Sequence, residues 1–160
     1  YLRSLVLTPS APARRQDART QARVARSNAQ ASLARLRAEP VTDARLIDLA
    51  ETLFANANRL ARTAMALEAG LDALARAPVY PDLQEFIHQA THNLDRLCQG
   101  LRTQGPLEAM TDLRARQQAL LSDCSDATPD SELLARITDR LVDNIDTLAY
   151  VIERRRPVRA

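Results

Sequence analysis

Leu83, Ile87, Ala90, Leu94, Leu97 and Leu101 repeat at spacings of four and three residues. That period puts all six on one face of a helix and on alternating faces of nothing else, so it commits residues 81–103 to an α-helix packed along an apolar seam. The same grammar recurs further on, where Leu134, Ile137, Leu141, Ile145, Leu148 and Ile152 give a second seam. Punctuation agrees with it. The chain of 160 residues has only 3 Gly, and its 8 Pro fall between periodic segments. A helix is ended by Pro and interrupted by Gly, so this distribution is that of an all-α chain.

Read in order, the segments give an elongated antiparallel bundle of about five helices in a single domain. Residues 1–11 form a lead-in from a preceding element, 12–153 the bundle, and 154–160 a basic tail. The first helix covers about Pro12 to Ala38 and stops before Pro40. Thr42 is the expected N-cap of the second helix, with Asp43 in its first turn, where a negative charge meets the positive end of the dipole. Leu46, Leu49, Leu53, Leu60, Leu67, Leu71 and Leu74 keep this helix largely on one face to about Arg76. Pro81 opens the third helix, which Gly105 and Pro106 break. A fourth, shorter helix is expected to carry Leu107, Met110, Leu113, Leu120 and Leu121. Thr128 and Pro129 open the fifth. With aromatic residues at 3 % and no Trp, the core is expected to be Leu and Ala.

Charge is unevenly spread. Residues 1–38 hold eight Arg against Asp17, a net +7; residues 39–153 hold ten Arg against nineteen acids, a net −9; the tail adds +4. Basic ends around an acidic body suit an anionic membrane surface. No hydrophobic run approaches the roughly 18–20 residues a bilayer span needs. Nothing at the start resembles a signal peptide, and the opening at Tyr1 without Met suits the soluble part of a larger protein. Cys98 and Cys124 lack short-spaced partners and fit a reducing compartment, with Cys98 expected as a small core residue.

Little here points to catalysis, and no catalytic residue, cofactor or metal is expected. Glu85 and His88 have the Glu-x-x-His spacing of carboxylate-bridged metal bundles, and His88 and His92 lie one turn apart. A second such pair is missing, and Glu85 falls about 200° from the seam at about 100° per residue. Asp139 and Asp143 share a face of the fifth helix and read as ion-pair partners of Arg136 and Arg140. Arg14, Arg15, Arg19, Arg23 and Arg26 could meet phosphates, but the body is acidic and aromatics for stacking are scarce, so nucleic acid is not an expected partner.

The first helix carries the most specific signal. Ala22, Ala25, Ala29 and Ser32 form a small-residue stripe that runs into Leu33 and Leu36, with Arg along its borders and Asn28 beside it. A second helix can approach closely along such a stripe. The run from Arg23 through Arg26, Asn28 and Ala31 to Leu33, closed by Ala38, Glu39 and Pro40, resembles a segment of the fusaric acid resistance family. These are bacterial inner-membrane proteins related to aromatic acid exporters, and the resemblance covers roughly residues 14–40. It implies a cytosolic helical domain following membrane-spanning helices, with a structural, assembly or regulatory role. The expected partners are the transmembrane part of the same polypeptide, a second copy of the chain, and the anionic membrane surface. Arg23, Arg26 and Asn28 are the candidate docking surface. The alternative is a free-standing cytosolic helical adaptor that binds a protein through an amphipathic groove.

Overall fold

The computed structural model describes Leu2 and residues 12–40, 43–73, 81–122 and 129–154. Those residues form an all-α bundle of five helices: α1 (Pro12–Ala38), α2 (Ala44–Ala73), α3 (Pro81–Thr103), α4 (Leu113–Ser122) and α5 (Pro129–Arg154). The lead-in before residue 12 (Leu2 excepted), Thr42, Leu74 to Val79, Cys124, the Thr128 cap and the tail past Arg154 lie outside the described residues.

Side-chain pairings fix the directions. Arg19 meets Glu68 and Arg37 meets Glu51, so α1 and α2 run antiparallel. Asn144 reaches Thr63, and Gly70 lies against Ile137 and Leu133, which makes α2 and α5 antiparallel as well. Gln117 pairs with Thr138, and Arg114 with Asp139 and Asp143, doing the same for α4 and α5. The contact of α2 with α5 is the most extensive in the fold, and α5 also packs on α3 and α4. α1 packs on α2. At 30 residues, α2 is about 45 Å long.

The α5 seam is buried at all six positions, from Leu134 to Ile152. On α3, Leu83, Ile87, Ala90 and Leu97 are buried and Leu94 is half-buried, but Leu101 is 42 % exposed. Leu101 sits in the final turn, where the seam has outrun its partners. Phe86 is fully buried although it stands outside the seam, because the apolar stripe of α3 widens to face more than one helix. Cys98 is exposed rather than a core residue. It follows Leu97, and one residue turns a helix by about 100°, away from the core.

Two boundaries differ from the expected ones, each for a local polar reason. Asp43, one residue after Thr42, caps α2: its Oδ1 accepts the Arg45 N–H at 2.9 Å, and its carbonyl accepts from Leu46 and Ile47. α3 ends at Thr103, as expected, and Gln104 at a φ of 50° is a left-handed residue that turns the chain out of the helix. The fourth helix starts only at Leu113. Asp112 caps it by accepting the Ala115 N–H at 3.0 Å. Leu107 and Met110 are therefore not helical; they pack half-buried against the core from an irregular segment. Asn93 pins that segment. Its Oδ1 accepts the Thr111 N–H at 3.0 Å and its Nδ2 donates to the Thr111 carbonyl at 2.9 Å, so Thr111 needs no helical partners.

Candidate functional site

Arg23 and Arg26 come together in space; Asn28 does not join them. The two arginines, with Arg19, border a cleft of about 280 Å³ between α1 and α2. Its apolar lining is Ala22, Ala61, Met65 and Ala69, small side chains and one flexible, exposed one. At its back stands Glu68, only 4 % exposed. A buried carboxylate is costly unless paired. Arg19 supplies the pair, with Nε at 2.9 Å and a terminal nitrogen at 2.6 Å from Glu68 Oε2. Arg23 and Arg26 make no ion pair among the described residues and stand exposed on the rim. Asn28 is exposed too, so its amide is not the buried group in need of a partner that the stripe suggested. The stripe itself, Ala22, Ala25, Ala29 and Ser32, is uncovered, and only Leu33 is buried.

A second cleft, of about 410 Å³, opens between α2 and α5. Arg59 and Arg62 approach it from α2, and Arg140 from α5. Beneath them, Asn144 Nδ2 donates to Thr63 Oγ1 at 3.0 Å. Sequence reading did not reach this site. Its residues come from two helices far apart in the chain, and each taken alone resembles surface decoration.

A third feature corrects the sequence reading. Asp139 and Asp143 are held by Arg114 of α4, not by Arg136 and Arg140 of their own helix. One terminal nitrogen of Arg114 bonds Asp139 and also Gln117 Oε1 at 3.0 Å; the other lies 2.6 Å from Asp143. One planar fork satisfies two carboxylates a turn apart, which two flexible neighbours on the same helix do less well. The hydrogen bonds that Arg114 donates to Asp139 and Asp143 raise its pKa above the ordinary value. Nearby, partial burial raises the Asp146 pKa; Arg114 pulls it back, while Asp143 and Asp112 push it further up.

The Asp146 shift gives a pH prediction. A carboxyl whose pKa is higher folded than unfolded binds its proton more tightly in the native state, so stability falls as pH rises through its folded range. Asp146→Asn removes that loss. It is expected to raise the melting temperature at neutral pH, with a gain that shrinks as pH approaches the ordinary carboxylate range. Thermal melts at neutral and mildly acidic pH check this; a gain independent of pH would contradict it.

Glu85, His88 and His92 are exposed, and Glu85 accepts a hydrogen bond from Gln89. No grouping of three metal-ligating side chains occurs among the described residues. No family model, curated protein or solved structure matches this chain.

Proposed function

We propose that the chain is a cytosolic structural, assembly or regulatory domain of a fusaric acid resistance-like inner-membrane exporter of aromatic or other organic acids. The resemblance of residues 14–40 is the starting point. The observation that carries the reading is the state of the helix holding that segment. α1 packs on α2, yet residues 20–32 are all exposed, including Val24 at 56 %. A 27-residue helix that leaves its small-residue stripe uncovered suits a connecting or docking element better than a core one. Arg23 and Arg26 edge that surface and favour an acidic partner or anionic membrane lipid. No helix of the described residues is long and apolar enough to cross a membrane, so on this reading the spans belong to another stretch of the same polypeptide. The same uncovered stripe would also serve a free-standing adaptor, and one experiment separates the two.

Native cells are fractionated and probed with an antibody against this domain, in parallel with cells carrying Arg26→Ala together with Asn28→Leu. The membrane reading expects a band well above 17.7 kDa in the membrane pellet, and weakened assembly or export in the variant with helix content intact. A soluble band near 17.7 kDa favours the adaptor. Unchanged oligomer state and unchanged export in the variant would remove Arg26 and Asn28 from the docking surface.

A further inference from the structure

We infer that the cleft between α2 and α5 is a binding site for a small phosphate-bearing anion, held by Arg59, Arg62 and Arg140 over Thr63 and Asn144. This inference is independent of the membrane reading.

The charge arrangement comes first. The segment from residue 39 to 153 is acidic overall, with ten Arg against nineteen acids. In this cleft the balance inverts: three guanidinium groups line it with a single acid, Asp143. Asp143 is already engaged, since its Oδ1 lies 2.6 Å from Arg114 on α4. No acid stands three or four residues to either side of Arg59 or Arg62, and these two arginines are themselves three apart. Like charges so placed on a helix repel. Arg140 has one acid within a turn ahead, and that acid is the same Asp143. Arg59, Arg62 and Arg140 accordingly make no ion pair among the described residues. The Arg114 clamp thus draws one oxygen of Asp143 toward α4, and three guanidinium groups outnumber that one carboxylate in the cleft.

A buried hydroxyl is the second observation. Thr63 is 8 % exposed and lines the cleft. Thr91, Thr138 and Thr147 each donate to the carbonyl four residues earlier in their helix. Thr63 instead accepts, from Asn144 Nδ2, and its own proton has no acceptor among the described residues. A buried donor left unused is costly, and an anion oxygen in the cleft would take it. Ala66 and Ile137 complete an apolar wall.

The cleft volume, about 410 Å³, suits a small molecule. Three planar forks and a hydroxyl match a group with several oxygens and more than one negative charge, which describes phosphate better than a single carboxylate. A free phosphate compound and a phosphate lipid headgroup share that chemistry.

Inorganic pyrophosphate is the probe for the first source, by titration calorimetry on the 160-residue chain at constant ionic strength. Vesicles of phosphatidylcholine doped with phosphatidic acid probe the second, by co-sedimentation. Arg59→Gln with Arg140→Gln is expected to weaken binding at least about tenfold, as loss of bidentate charged contacts should. Arg102→Gln with Arg116→Gln removes equal charge from exposed positions elsewhere and is expected to leave binding within about twofold. Circular dichroism checks that both variants keep their helices, and Thr63→Val, which keeps the shape and loses the hydroxyl, is expected to weaken binding with no charge change. Pyrophosphate binding that depends on Arg59 and Arg140 assigns a free phosphate ligand; vesicle binding alone with the same dependence assigns a headgroup. Absence of both, or equal weakening by both arginine pairs, overturns the site.

Discussion

Replacing Leu141 with Ala is expected to destabilise the bundle by about 2–5 kcal/mol, the range for opening a cavity in a well-packed core. Leu141 is 0 % exposed and sits midway along α5, beside Val142 and Ile145, which are equally closed off. α5 packs on α2, α3 and α4, so a void here weakens contacts with more than one helix. Neighbours on long helices cannot collapse into the gap without moving whole turns, which puts the cost toward the upper part of that range. In a chain of this size the loss corresponds to a fall in melting temperature on the order of 10 °C. Urea unfolding checks it: the midpoint should drop while the slope is unchanged. A loss under about 1 kcal/mol would mean that α5 is not the centre of the core.

Asn93→Ala carries the second large effect, and its origin is different. No sizeable apolar area is lost. Instead the Thr111 N–H and carbonyl lose the side chain that satisfies both, at 3.0 and 2.9 Å. Asn93 is 1 % exposed, so water is poorly placed to take over. Two stranded backbone groups cost on the order of 3 kcal/mol together. The damage is also local in a way the Leu141 cavity is not. Between Gln104 and Asp112 the chain has no helical hydrogen bonds, and Leu107 and Met110 reach the core from it. Loosening Thr111 should release that segment before the helices melt. Amide hydrogen exchange at Thr111 should accelerate well beyond exchange in α5; matched protection would show that Asn93 is not the pin.

The five helices were legible because their evidence is local. Seams at three and four residues and prolines at the breaks are properties of adjacent residues, and they placed α3 and α5 almost to the residue. Where a second element decides, the sequence alone misled. Leu107 and Met110 have helical spacing, yet the Asn93 side chain, some eighteen residues away, offers their segment a different set of hydrogen bonds. Asp139 and Asp143 have suitable partners at helical spacing in Arg136 and Arg140, but Arg114 satisfies both at once from another helix. Asp43 competes with Thr42 for one cap, a choice that residue type leaves open.

The candidate sites divide in the same way. Arg23 and Arg26 were readable as a pair because one helix carries both, and the structure adds Arg19, Glu68 and the apolar lining around Met65. Asn28, a few residues on, stands apart from them because helical rotation takes it off the rim. Arg59, Arg62, Thr63, Arg140 and Asn144 left no readable signal. What could have raised suspicion was an omission: no acid stands between Glu51 and Glu68, so Arg59 and Arg62 have none one turn away.

How α1 is attached has a mechanical meaning. Among the described residues, Leu33 is its one buried side chain, and the Arg19–Glu68 and Arg37–Glu51 pairs clasp it to α2 near its two ends. α5, by contrast, cannot leave without exposing a full row of aliphatic side chains. The molecule is thus a lightly latched arm on a stiff trunk, and tension on the arm would spring the latches before it strained the trunk.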